Sequence, residues 1–217
     1  KRYTSGKILS INPYLFINQF DNLNGYMESR ALKAGLDIQF MNRSMVFAGL
    51  TQTDEVIKDS FDLYGAEVPV GEYKFNNLSI YFRGDRTKNI SFNGNASVGQ
   101  YFNGTRNSYG VSATIKRGYR FSVNMGLNKN LVKFPGISVN ADIYTLKIKY
   151  NHSVKLFNTL YFQYNGAEDK LVTNFRMNLI HAPLSDLFLV YSNISDLSSD
   201  EKATGMIALK FTKLFSL

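Results

Sequence analysis

The sequence predicts an all-β chain, an antiparallel up-and-down transmembrane β-barrel of about twelve strands. Three observations predict it. Apolar and polar residues alternate with a period of two, turn residues recur at hairpin spacing, and short connections alternate with longer ones.

The alternation is cleanest from Tyr119. Odd positions run Tyr119, Phe121, Val123, Met125 and Leu127, against Arg120, Ser122, Asn124, Gly126 and Asn128. Residues 90–99 repeat it, with Ile90, Phe92, Ala96 and Val98 against Ser91, Asn93, Asn95 and Ser97. Leu32, Ala34, Leu36, Ile38 and Phe40 share a face, as do Leu78, Ile80 and Phe82. So do Leu146, Ile148 and Tyr150, backed by Lys147 and Lys149, and Ile207, Leu209, Phe211, Phe215 and Leu217, interrupted by Lys213. No comparable stretch keeps helical spacing. The strands expected are 7–20, 29–41, 44–53, 72–83, 88–100, 107–117, 119–129, 140–151, 154–165, 170–181, 186–194 and 204–217.

Turn chemistry separates them. Gly84-Asp85-Arg86, Asn103-Gly104, Pro135-Gly136 and Asn165-Gly166 tolerate turn dihedrals, and Pro183 removes a ladder donor where the chain reverses. Connections near 42–43, 84–87, 118, 152–153 and 182–185 are short. Those near 21–28, 54–71, 101–106, 130–139, 166–169 and 195–203 are mostly longer. Outer-membrane barrels have short periplasmic turns and longer extracellular loops. With the C-terminus on the periplasmic side, loops 195–203 and 54–71 fall outside.

A soluble barrel also alternates, with its apolar face inward. Two features favour the membrane form. Many strands run to about ten residues, against five or six in soluble sheets. The polar face is also rich in Asn, Ser, Thr and Gly rather than mixed charge. No apolar run is long enough for a transmembrane helix, which leaves a barrel open. The absence of Cys excludes disulfides and thiolate metal sites. The net charge of +8 comes from scattered residues such as Lys33, Arg83, Lys116, Arg120, Lys147 and Arg176. Such scatter fits a polar lumen and rims better than a nucleic-acid surface, so no nucleic-acid partner is expected. The chain opens at Lys1, and a start with a signal peptide is expected upstream.

One ordered series carries a family resemblance: Phe162-Gln163-Tyr164-Asn165, Asn174-Phe175-Arg176-Met177-Asn178, Pro183, and Ser185-Asp186-Leu187-Phe188-Leu189-Val190-Tyr191. It resembles the C-terminal outer-membrane barrel domain, of unknown function, in Gram-negative proteins that carry an N-terminal domain like a family-9 carbohydrate-binding module. Pro69-Val70-Gly71-Glu72-Tyr73 fits the same pattern. Leu184 departs from it, since Gly commonly follows the proline there, and Ala182 stands where a basic residue is common. The resemblance implies one barrel domain over 1–217, the C-terminal segment of a longer protein, with no established catalytic residues.

The search for chemistry is largely negative. His152 and His181 are far apart in sequence, and an interfacial imidazole is the simplest reading of His181. No glycine-rich nucleotide loop occurs. Paired carboxylates can bind calcium, but the acidic pairs Asp54-Glu55, Glu168-Asp169 and Asp200-Glu201 fall in expected extracellular loops, where exposed carboxylates are ordinary. Tyr14, Tyr101, Tyr109, Tyr119, Tyr150 and Tyr191 lie near expected strand ends and read as an interfacial girdle. Phe61, Tyr64 and Tyr73 of the longest loop, beside Asp59, Asp62 and Glu67, are the candidate ligand contacts.

The expectation is therefore a non-enzymatic outer-membrane barrel that anchors a glycan-related domain or handles a solute. It needs no cofactor or metal. Its partners are outer-membrane lipid and a glycan, met through the upstream domain or the extracellular loops. The barrel either closes with these strands or forms part of a larger one. Two rivals stand beside it: a soluble barrel holding a small apolar ligand, and a barrel enzyme acting on lipid or glycan. For the latter, Asp37, Asp142 and Arg176 are the inward-facing candidates.

Overall fold

Alternating sequence becomes extended backbone throughout. The computed structural model describes residues 2, 6–199 and 203–214. Its strands are β1 (Ile8–Asp21), β2 (Met27–Phe40), β3 (Met45–Ile57), β4 (Phe61–Leu63), β5 (Ala66–Val68), β6 (Gly71–Arg83), β7 (Ile90–Tyr101) and β8 (Gly104–Arg117). They continue with β9 (Phe121–Phe134), β10 (Ile137–Asn140), β11 (Ile143–Asn151), β12 (Leu156–Asn165), β13 (Lys170–Ala182), β14 (Ser185–Asp196) and β15 (Thr204–Phe211). The described residues contain no helix.

Twelve long strands form one antiparallel meander in the order β1-β2-β3-β6-β7-β8-β9-β11-β12-β13-β14-β15, and β10 folds back on β9. The order is linear. β1 and β15 are its ends, each paired with a long strand on one side among the described residues.

Each expected long strand is present, but several overrun the loops drawn around them. β3 continues to Ile57, so Asp54 and Glu55 lie in a strand rather than a loop. The expected loop 54–71 also holds a hairpin, β4–β5, closed by Tyr64 and Gly65 at φ 57° and 82°. The expected loop 130–139 is the continuation of β9 paired with β10 around Pro135-Gly136. The expected loop 101–106 shrinks to Phe102-Asn103. The alternation of short and long connections is weaker as a result, because 102–103 is shorter than 84–89. Residues 200–202 and 215–217, with the acidic pair Asp200-Glu201 and the terminal Phe215 and Leu217, lie outside the described residues.

The chain divides into two compact units. The first comprises Lys1–Asp85, Phe92–Val111 and Lys129–Ala141. Val68, Phe75, Val132, Phe134 and Ala66 are buried there, and Leu63, Tyr101, Phe102 and Ile137 pack against a small core of Ala66, Val132 and Phe134. These five are the buried apolar residues of the whole described chain. Phe102 centres an aromatic cluster, its ring 4.9 Å from Tyr101, 5.4 Å from Tyr73, 5.6 Å from Phe75 and 5.7 Å from Phe61.

The second unit comprises Arg86–Ser91, Ser112–Asn128 and Asp142–Leu217. Its ladder runs from β9 through β11, β12, β13 and β14 to β15. At the 183–184 turn, Leu184 holds a left-handed φ of 54°.

Candidate membrane interface

Strand register sorts every side chain into one of two faces. In the first unit, the partners Pro13, Leu36, Ala48, Ile80 and Ala96 line up across five strands. Leu15, Ala34, Leu50, Leu78 and Val98 form the adjacent row on the same face. These residues face open space: Leu15 is 69% exposed, Leu78 56% and Ile80 50%. The opposite face of the same strands carries Asn12, Asp37, Phe47, Tyr81 and Asn95, then Tyr14, Gly35, Gly49, Ser79 and Ser97. A protein in water buries the first set and exposes the second. Here most of the apolar set is exposed, and most of the opposite set is partly covered.

The apolar rows give way to polar ones at an upper border, where Ile17 and Leu32 share their row with Gln52 and Asn76. One row beyond Ile17 and Leu32 stand Gln19, Arg30, Asp54 and Lys74. Arg30 donates to Asp54 at 2.9 Å, and Lys58 donates to Glu28 at 2.6 Å. From Leu32 to Phe40 the apolar run of β2 spans about 26 Å at about 3.3 Å per residue. Tilted by about 40°, it would cross roughly 20 Å of hydrocarbon, close to the apolar band of known barrels.

Along β6 the two faces exchange character at this border. Leu78, Ile80 and Phe82 are exposed and backed by Asn77, Ser79, Tyr81 and Arg83. Before Asn77 the exposed positions become Glu72, Lys74 and Asn76, while Tyr73 and Phe75 turn into the aromatic cluster. β9 repeats the exchange. Phe121, Val123, Met125 and Leu127 alternate with Ser122, Asn124 and Gly126, whereas Lys129 and Lys133 alternate with Asn130 and the buried Val132 and Phe134. Each strand thus has one segment patterned for water outside and apolar matter inside, and another patterned for the opposite.

The second unit has the same two faces. Val123, Ile148, Leu160, Phe175, Tyr191 and Ile207 form one apolar row across six strands. Behind it run Ser122, Lys149, Thr159 and Arg176, then Asn124, Lys147, Tyr161 and Asn174. Asn124 Nδ2 donates to Thr114 Oγ1 at 2.8 Å, which ties β9 to β8 on the polar face. Towards the edge this face turns apolar at Val190, Ala208 and Met206.

The aromatic candidates divide. Phe61 and Tyr73 pack edge-on against Phe102, and the Tyr73 hydroxyl donates to the Pro69 carbonyl at 2.7 Å. Tyr64 stands at the tip of the β4–β5 hairpin, about half exposed. Phe102, which the sequence reading left unmarked, is the residue that joins the other two. Of the expected girdle, Tyr109, Tyr119, Tyr150 and Tyr191 are exposed. Tyr14 instead sits in the middle of β1 on the polar face, stacked on Phe47, and Tyr101 belongs to the aromatic cluster. Tyr14 lies well inside its strand, and nearness to a turn does not tell which face the Tyr101 ring occupies.

The polar and charged candidates are dispersed. Asp37 lies in the first unit, with one buried carboxylate oxygen that accepts no hydrogen bond among the described residues. Asp142 and Arg176 lie in the second, where the Arg176 guanidinium sits 4.7 Å from the centre of the Phe188 ring. His152 pairs with Asn158 at 3.1 Å, and His181 stacks on Phe211 with centroids 5.0 Å apart. Glu168 accepts from Lys170 at 2.9 Å, and Asp169 accepts from the Tyr164 hydroxyl at 2.7 Å. No group of three or more potential metal ligands occurs among the described residues. Compared with family models, curated proteins and solved structures, the chain matches none of them.

Proposed function

We propose that this chain spans a bacterial outer membrane as a β-barrel or as part of a larger one. In this reading it is a non-enzymatic anchor or channel linked to surface glycan or solute handling. The exchange of faces along β6 carries the proposal. Leu78, Ile80 and Phe82 suit hydrocarbon, and Glu72, Lys74 and Asn76 on the same face suit water. A chain dissolved entirely in water gains nothing from such a change, whereas a strand that leaves a bilayer requires it. Closure of the sheet belongs to the same reading, because backbone groups in lipid must be satisfied internally.

The aromatic cluster and the β4–β5 hairpin then stand on the watery side, together with Tyr64. An extracellular position for them follows from the outer-membrane reading, and so does contact between that loop and a glycan. The resemblance of segments in β12, β13 and β14 to the barrel domain of glycan-linked proteins supports an upstream glycan-related domain.

The test uses the full chain. Outer-membrane insertion predicts a monodisperse species only in detergent, a gel mobility that changes on heating, and, for a channel, conductance in planar bilayers. A chain that stays monodisperse in plain buffer and shows no heat-dependent mobility overturns the reading. It would instead favour a soluble barrel.

A further inference from the structure

At the 118–120 turn of the second unit, the apolar face ends in a hollow of about 490 Å³. Arg117, Tyr119, Arg120, Phe121 and Tyr150 line it. Their placement is graded by polarity. Phe121 and Tyr150 are register partners and end the apolar columns of β9 and β11. Arg117 ends the column of Val111, Ala113 and Ile115 on β8. Arg120 stands in the turn itself, with its Nε donating to the Tyr119 hydroxyl at 3.2 Å and its guanidinium 5.7 Å from the centre of the Tyr119 ring. The Tyr119 carbonyl accepts from Asn151 Nδ2, which ties the turn to the end of β11.

Two guanidinium groups line this hollow and no carboxylate does. A guanidinium fork matches the oxygens of a phosphate, while the rings beneath it match the glycerol and the first methylenes of an acyl chain. We propose that this hollow binds the phosphodiester headgroup of an anionic phospholipid, with Arg117 and Arg120 on the phosphate and Phe121 and Tyr150 against the chain. The proposal rests on the membrane reading above and adds a ligand to one place on its rim.

The probe is phosphatidylglycerol, compared with phosphatidylcholine, bound to the full chain in detergent and counted by native mass spectrometry. The wild type should retain phosphatidylglycerol about tenfold more than phosphatidylcholine, since each basic residue adds to attraction for anionic lipid. Arg117→Gln with Arg120→Gln should abolish that preference, and Arg117→Lys with Arg120→Lys should keep part of it. Equal retention of both lipids overturns the proposal, as does a preference that survives in the double glutamine variant. Full competition by inorganic phosphate would assign the site to a free anion and overturn the lipid assignment. Heat-dependent gel mobility, run on every variant, reports the membrane fold separately. A normal shift without lipid preference sinks this site and leaves the barrel reading standing.

Discussion

Tyr14 stacks on Phe47 across the polar face, with ring centroids 5.4 Å apart and planes at 23°. The ring lies over Gly35 and Gly49, register partners on β2 and β3. A methyl group added at Gly35 would come within 2.5 Å of the Tyr14 hydroxyl and within 2.5 Å of the Ala48 carbonyl oxygen. At Gly49 the nearest atom would again be the Tyr14 hydroxyl, at 2.7 Å, but the nearest backbone atom is the Ala34 oxygen at 3.0 Å. A flexible ring can shift, and a ladder carbonyl cannot.

Gly35→Ala should therefore destabilise the sheet by about 1–3 kcal/mol, the usual cost of overpacking, and Gly49→Ala by less. Urea unfolding in detergent micelles measures both. Equal midpoints for the two variants would contradict the difference in backbone clearance.

Ile80 sits in the middle of an apolar row at 50% exposure, and Lys74 sits beyond its border on the same face of β6. If the row meets lipid, Ile80→Arg should cost about 2–4 kcal/mol of folding free energy in vesicles. Lys74→Ala should change it by less than about 0.5 kcal/mol, as ordinary surface substitutions do. Equal small effects at both positions would remove the physical basis for the border.

Leu184 is 75% exposed and holds a positive φ that strains any side chain with a Cβ. Leu184→Gly loses little packing and relieves that strain, so it should stabilise the 183–184 turn by about 1 kcal/mol. A raised unfolding midpoint would confirm it. A lowered one would mean that the leucine side chain makes a contact worth more than the strain.

Asp196 ends β14, outside the apolar rows, and accepts from the amide and the hydroxyl of Ser198 at 2.9 and 2.6 Å. Its hydrogen bonds to Ser198 hold its carboxyl below the ordinary aspartate value. The folded pKa is thus depressed, so the turn's stabilisation is present above the unfolded value and fades as pH falls through the folded one. The Ser198 amide shift, followed by NMR, should stay constant from neutral pH down to the usual carboxylate range and move only below it. Asp196→Asn should remove that titration.

The twelve long strands were legible because their alternation is strong and most of their turns carry Gly, Pro or Asn. The overruns were not. Charged residues such as Asp54, Glu55 and Lys133 fall in expected loops, although they sit on strands. Tyr73 and Phe75 at odd positions, followed by Leu78 and Ile80 at even ones, already record that exchange in the sequence. On β9, a search for alternation of one fixed sense stops at the exchange, where the expected strand ends at 129 and the observed one runs to Phe134. β4, β5 and β10 were missed because three or four residues are too few to show a period. Phe102 was overlooked because Asn103-Gly104 beside it marked the segment as a turn. The turn is real, and its ring nevertheless gathers the aromatic residues around it.

The exchange of faces along β6 also acts as a ruler. In an ordinary alternating strand, a slip of one residue swaps the faces and is forbidden, but a slip of two restores them and is tolerated. In β6 a slip of two in one direction would carry Asn76 into the apolar row, and in the other it would carry Leu78 beyond the border. Slips of either parity are penalised, so this strand's sequence encodes how far along its own axis it must stand, as well as which way it must face.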